Sequence, residues 1–475
     1  MKSLTILQLN DSHAYFEAHQ ELFRAGDHAE YQIAGGYARI STIFNQIRQK
    51  KQVLAFDCGD TIHGTYAAVK TRGEALVPIL NALDFDAMTA HWEFAYGPEQ
   101  FKRIASQLKF PVLAVNCYDR KGRLVFEPYS ILECKNLQIG VVGIAAPIVD
   151  KTMPPSFSKG LRFTVGNTEL PFYIDALRHE RVDLIVVISH LGFPQEMKLA
   201  KEVDSIDVLL SAHTHNRLYR PAKVGNTVVI QSGCHGSFVG VLDLKILNRR
   251  IVDVHHRLIT VDQTVNQDPQ VKALTDKAMD PHRDLLTQVV GRTATGLNRY
   301  TVLESTMDNF LLQGLLDLTG TQTAFSNGWR YGAPVPPGLI TLNDLYNIIP
   351  GNPFVSTVEL TGEEVKLMLE ENLEHTFAQN PYHQMGGYVK RCLGVNVYFK
   401  MENPKGYRIQ ELFIQGNPVK HDRIYTATFV TTQGVPDKYG RNRETLNVQA
   451  VEVLQRYLAQ EKQVKAELRG SVVAV

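Results

Sequence analysis

Leu209-Leu210-Ser211-Ala212-His213-Thr214-His215-Asn216 ends an apolar run on two histidines one residue apart. A strand feeding a loop there projects both imidazoles past the end of a sheet, toward one point. Neutral imidazole offers a lone pair, and histidine is the commonest metal ligand near neutral pH. The same construction recurs wherever an apolar run stops. Residues 4–9 lead into Asn10-Asp11-Ser12-His13, and residues 53–56 into Asp57-Cys58-Gly59-Asp60. Residues 85–89 lead into Ala90-His91-Trp92-Glu93, and residues 184–188 into Ser189-His190-Leu191-Gly192. Asp11, His13, Asp60, His91, His190, His213 and His215 form a set too large for one tetrahedral zinc, and suited to two cations sharing a carboxylate. Glycine before Asp60 lets the backbone approach a ligand closely, and a carboxylate is the natural bridge.

Such side chains need a scaffold, and the apolar runs supply one. Strand patterns at 4–9, 53–56, 85–89, 110–115, 139–144, 184–188, 208–210 and 228–231 have helical spacing between most of them, at 33–48 and 75–83 for example. That order predicts an α/β sheet with both faces covered. In such sheets ligands collect beyond the carboxyl ends of the strands, where all seven donors fall.

A chain of 475 residues exceeds one ordinary core, so two domains are expected. The polar stretch 263–288, with breakers at Asp268-Pro269 and Asp280-Pro281, reads as a linker helix region between domains at 1–262 and 289–475. Hydrophobic content of 44% and charged content of 21% are those of a globular protein. A net charge of +1 gives no footprint for nucleic acid or an acidic membrane. No apolar stretch reaches the roughly 18 residues of a membrane helix. The five cysteines are odd in number, scattered and free of C-x-x-C spacing, which predicts free thiols in a reducing, cytoplasmic setting. The amino terminus runs into a strand pattern without the features of a signal peptide. His255-His256, His375 and His383 have no partner motif and read as ordinary. Oligomeric state is left open.

Asp11-Ser12-His13, Gly59-Asp60, Ser189-His190 and His213-Thr214-His215, in this order, resemble the calcineurin-like metallophosphoesterases. The resemblance implies an N-terminal α/β/β/α sandwich and two divalent ions (manganese, zinc, cobalt or magnesium). It puts one ion on Asp11, His13 and His215, the other on His190 and His213, and Asp60 between them. It also implies hydrolysis of phosphate esters or anhydrides of nucleotides by a metal-activated hydroxide.

The third motif departs from the family. Its 5′-nucleotidase branch reads G-N-H-E-F-D-Y-G, where this chain has Ala90-His91-Trp92-Glu93-Phe94-Ala95-Tyr96-Gly97. Glu-Phe and Tyr-Gly fix the register. His91 then stands at the family's asparagine ligand, Trp92 at its catalytic histidine, and Ala95 at that histidine's aspartate partner. The ligands are kept and the acid/base dyad is missing; His63 and His235 are the candidate replacements. The H-W-E-F form also resembles sulfate-thiol hydrolases of bacterial thiosulfate oxidation, which keeps another ester class as an alternative. A nucleotide-binding protein with weak turnover is a third reading.

From Gly291-Arg292-Thr293 onward, through Glu304-Ser305, a helix at 309–318 and the segments 340–350 and 358–362, the chain resembles the α+β carboxyl-terminal domain of 5′-nucleotidases. That domain binds the nucleoside, typically between two aromatic rings with arginines nearby. Phe325-Ser326-Asn327-Gly328-Trp329-Arg330 occupies its N-G-G-x-R substrate loop with one glycine lost. The implied substrate residues are Asn327, Trp329 and Arg330 from that loop, Phe354 from a displaced turn, and Tyr439. Asn116, where the strand pattern 110–115 ends, completes the set.

Overall fold

The computed structural model describes the backbone of residues 1–475 and the side chains of residues 1–24 and 26–475. It divides into two compact units, Met1–Phe23 with Gln32–Pro281, and Arg24–Tyr31 with His282–Val475.

The first unit is built on two sheets. One runs in the order Arg250–Thr260, Phe238–Leu247, Lys2–Leu9, Val53–Asp57, Ala87–Met88. The other runs Ala222–Val224, Thr227–Ile230, Val208–Leu210, Leu184–Ser189, Leu137–Ile144, Tyr129–Cys134. Alternate residues of both sheets, among them Ile6, Phe56, Leu244, Val141, Val186 and Leu210, meet in one core. The opposite face of the second sheet, with Val142, Ile185, Val187 and Leu209, packs on helices Leu170–His179 and Phe193–Glu202 through Ile174, Leu177 and Leu199. Leu7, Leu9 and Ala55 on the outer face of the first sheet are equally buried. On that side helices Tyr37–Arg48, Val77–Leu83 and Pro269–Met279 pack on one another. The layers are therefore α/β/β/α, as expected. The central strands are parallel, Lys2–Leu9 with Val53–Asp57 and Leu184–Ser189 with both its neighbours. Covered on both faces, they read as unbroken apolar runs.

The second unit is α+β. Its five-stranded sheet has the order Tyr388–Leu393, Thr323–Gly328, Ile424–Val430, Phe354–Thr361, Arg441–Gln449. Its core, including Phe325, Leu360, Phe399 and Phe429, is closed by helix Gly362–Phe377 through Val365, Leu369 and Leu373. Thr341 with Asp344, and Thr361 with Glu364, form capping boxes that start two of its helices.

Some boundaries differ from the sequence pattern. Residues 110–115 form only isolated bridges, Met88 with Val112 and Leu113 with Glu127. Helix Pro269–Met279, in the stretch expected to link domains, packs on the first unit, and its N-cap Asp268 accepts from Ser41 and Asn45. The division falls between Pro281 and His282. Among the described residues no helix is long and apolar enough to cross a membrane.

Candidate dinuclear metal centre

The seven donors converge past the carboxyl ends of strands Lys2–Leu9, Val53–Asp57, Ala87–Met88, Leu184–Ser189 and Val208–Leu210. Within two groups the ligand atoms all lie within 4.8 Å of one another: Asp11, His13, Asp60 and His215, and Asp60, His91, His190 and His213. Asp60 belongs to both. The Nε2 atoms of His13 and His215 stand 3.2 Å apart, the spacing of two nitrogens about 2 Å from one tetrahedral ion. Nε2 of His190 is 3.2 Å from Asp60 Oδ2 and 3.6 Å from Asp11 Oδ1. His91 Nδ1 is 2.9 Å from Asp60 Oδ1, and His215 Nε2 is 3.3 Å from Asp11 Oδ1.

Other hydrogen bonds aim these rings. His190 Nδ1 donates to the Cys58 carbonyl at 2.6 Å, and His13 Nδ1 to that of His63 at 3.3 Å. Each bond fixes the tautomer that leaves the Nε2 lone pair toward the centre. Asp11 accepts from Asn10 Nδ2 at 2.7 Å and from the His213 N–H at 3.0 Å. His91 Nε2 is buried without a hydrogen-bond partner. A buried imidazole nitrogen of that kind, grouped with the Asp60 carboxylate and the imidazoles of His190 and His213, fits a cation.

The backbone is strained here. Asp11, His13, Asp60, His213 and His215 all have φ between 49° and 69°, a left-handed conformation costing each non-glycine residue about 1–3 kcal/mol. Gly59 precedes the bridge at φ 89°, and a Cβ there would stand 3.0 Å from His190 Nδ1 and 3.1 Å from the Thr89 carbonyl. Nothing larger fits without moving a ligand.

Burial would raise the Asp60 carboxyl, but His91 and His190 hold it well below its usual range. Asp11 is likewise held down, His215 and His190 outweighing burial. Burial opposes a charge on His190, yet the Asp60 and Asp11 carboxylates draw it up to about 10. His13 is pushed down to about 3 by burial, against the pull of Asp60.

The two candidate dyad replacements stand on different sides of the donors. His63 stacks on Trp92, and its Nδ1 lies 3.2 Å from the Tyr96 hydroxyl. His235 is fully buried, gives its main-chain N–H to the Asp11 carbonyl at 2.7 Å, and lies beside the rings of His13 and His215. Its Nδ1 is 3.5 Å from Glu21 Oε2, a buried carboxylate that also pairs with Arg217 at 2.8 Å and accepts from Ser237. Glu21 was not singled out in the sequence. His19 and Glu21 alternate on one strand, a period that puts both on one face and was the available signal.

The expected substrate residues separate. Asn116 is fully buried and braces two loops: Nδ2 donates to the Ala145 and Thr164 carbonyls, and Oδ1 accepts from Ala145 N–H. Those three bonds engage both ends of its amide. In the second unit Trp329 is 5% exposed, donates to Gln433 at 3.3 Å and stacks near Tyr331. Arg330 lies over the Tyr388 ring and donates to the Gly387 carbonyl at 2.9 Å. Asn327 lies on the strand that precedes them, Thr323–Gly328. Tyr439 donates to Glu371 at 3.0 Å, while Phe354 opens its strand 48% exposed.

Residues 289–433 match the family model of the 5′-nucleotidase C-terminal domain. The chain is 26% identical to the 5′-nucleotidase of Homo sapiens, over 89% of this chain and 81% of that protein. It is 23% identical to the trifunctional nucleotide phosphoesterase protein YfkN of Bacillus subtilis, over 87% of this chain but only 30% of that longer protein. Among solved structures, the sulfate thiohydrolase SoxB of Thermus thermophilus shares the fold, with a TM-score of 0.91 at 24% identity over 99% of this chain and 96% of that one.

Proposed function

We propose that the chain is a metal-dependent hydrolase of phosphate esters or anhydrides whose substrates are nucleotides, a reading that its similarity to 5′-nucleotidases supports. The observation that supports this most is Asp60, one carboxylate common to two converging groups of donors. Asp11, His13 and His215 would hold one divalent ion, His91, His190 and His213 the other, and Asp60 both. Manganese, zinc, cobalt and magnesium are the candidates, imidazole favouring the transition metals. Bound there, such ions supply Lewis-acid activation of water and of the phosphoryl group.

The chain's own residues do the rest. Trp92 and Phe157 present aromatic surface beside the donors. His235, held by Glu21, and His63, held by Tyr96, are the ring nitrogens available for proton handling at the positions the family does not use. In the second unit the Arg330 guanidinium suits an anionic group and the exposed Phe354 ring a base. A cytoplasmic setting remains part of the proposal, resting on the cysteine pattern.

A panel assay on the manganese-loaded chain tests this reading: nucleoside monophosphates, nucleotide anhydrides, nitrophenyl phosphate and a sulfate thioester. Phosphate release from a nucleotide is expected. The H-W-E-F segment favours one rival, and cleavage of the sulfate thioester in preference to every phosphate substrate would establish it instead.

A further inference from the structure

Segment 90–97 has lost the two side chains that resemblance expects for proton transfer, yet it keeps Glu93 and Tyr96. The structure shows what those two hold. Glu93 is fully buried on the short 3-10 helix Trp92–Tyr96. Its Oε1 accepts the N–H groups of Thr61 at 2.7 Å and Ile62 at 3.4 Å. Its Oε2 accepts those of His91 at 2.7 Å and Asp60 at 3.2 Å. One carboxylate thus joins the loop carrying Asp60 to the loop carrying His91, the pair that meets at 2.9 Å. Tyr96 grips the same loop elsewhere, its hydroxyl donating to the Ile62 carbonyl at 3.0 Å.

We propose that Glu93 is the positioning residue of the centre: by collecting four main-chain N–H groups it holds Asp60 in its left-handed conformation and sets the Asp60–His91 spacing. The inference rests on the metal reading above for its catalytic consequence. Four donors need the lone pairs of two oxygens, and charge-assisted bonds of this kind are about twice as strong as neutral ones. Glutamine has nearly the same shape but one oxygen only, and its NH2 would oppose two N–H groups. This explains why glutamate persists where histidine and aspartate do not.

Two measurements test it. In the full chain stripped of metal, the N–H groups of Asp60, Thr61 and His91 should exchange with solvent about 10²-fold or more slower than open loops do. Exchange at open-loop rates would show that bound metal, not Glu93, shapes the loop, and would overturn the proposal. In Glu93→Gln, manganese affinity should fall about 10–100-fold, with kcat on nitrophenyl phosphate reduced and KM moved less, and saturating manganese should restore part of kcat. Glu304→Gln is the control. Glu304 is another buried carboxylate that accepts main-chain N–H groups, from Arg469 and Ser471, and its loss should lower stability without changing manganese affinity. Unchanged affinity in Glu93→Gln, or an equal loss in Glu304→Gln, would overturn the proposal. If Glu93→Gln does not fold, the exchange experiment decides alone. A wild-type chain that binds no divalent ion would remove the metal reading and leave the exchange result standing.

Discussion

The His63 imidazole and the Trp92 indole lie face to face, their centroids 4.9 Å apart and their planes 8° from parallel. Phe157 meets the same indole edge-on at 5.9 Å. The Trp92 main-chain N–H points the other way and donates to Asp60 Oδ1 at 2.8 Å. Residue 92 thus serves the centre through its backbone and walls it with an indole, whose N–H is far too weak an acid to protonate a leaving group. Burial pushes His63 down to about 4, so its ring is neutral near pH 7.

His91→Ala removes the one imidazole that departs from the family's ligand pattern. Metal analysis after dialysis should find about one equivalent fewer than in wild type. His255→Ala, on the exposed strand Arg250–Thr260, should bind as wild type does. Full, tight occupancy in His91→Ala would contradict its place among the ligands.

Asp60→Asn keeps the shape of the shared side chain and removes its charge. Several kcal/mol of electrostatic stabilisation depend on that charge, so kcat/KM should fall by about 10³-fold while circular dichroism stays that of wild type. Near-normal turnover would mean that the carboxylate is not shared.

The first unit was legible because its chemistry sits where strands end. Asp11, Asp60, His190 and His213 each follow an apolar run, and parallel strands put all their carboxyl ends on one side. Glu93 served in the sequence only as a register mark, since nothing local shows that its carboxylate collects N–H groups from two distant loops. Glu21 was equally hidden, because its partners Arg217 and His235 lie some two hundred positions away. Residues 110–115 have the composition of a strand but meet their neighbours only at isolated bridges. The hairpin tip Arg24–Tyr31, which groups with the second unit, carries no composition signal at all.

In the second unit Asp308 stands between two buried guanidiniums, accepting Arg299 Nε at 3.0 Å on one oxygen and lying 3.0 Å from Arg391 Nε on the other. Asp308→Asn would leave two buried cations sharing a neutral amide. A loss of about 3–5 kcal/mol is expected. Urea unfolding followed by Trp329 fluorescence in a Trp92→Phe background measures it, since these are the only two tryptophans. An unchanged midpoint would show that the guanidiniums are held by their carbonyl partners alone.

Lys390 gives a pH signature. Burial lowers its ammonium to about 8, against the pull of Glu371, while Nζ donates to the Gln433 and Gly434 carbonyls. Between about pH 8 and 10.5 the unfolded chain keeps this proton and the folded chain does not. The unfolded state then binds more protons, so this group's contribution to stability rises with pH across that window. Subtracting the pH dependence of Lys390→Met from that of wild type isolates it, and the difference should reach up to about 3 kcal/mol. A flat difference would mean that Lys390 stays charged in the fold.

The last prediction concerns the leaving group. With Trp92 stacked on a neutral His63 and Ala95 beyond it, nothing at the family's dyad position can protonate a departing sugar alkoxide. An anhydride or aryl phosphate leaves as a stabilised anion and needs that proton far less. A series of substituted aryl phosphates should therefore show a steep dependence of kcat/KM on leaving-group pKa, and nucleotide anhydrides should react faster than 5′-monophosphates. The triple variant His91→Asn, Trp92→His, Ala95→Asp restores the family pattern. It should raise monophosphate hydrolysis selectively, by up to about 10²-fold, with metal content checked in both proteins. It also removes the indole on which His63 rests, so His63→Ala in the wild-type background is measured beside it to separate the two effects. A flat leaving-group series in the wild type would show that another residue supplies the proton. His235→Ala then tests the other candidate, because Glu21 holds that imidazole beside the rings of His13 and His215.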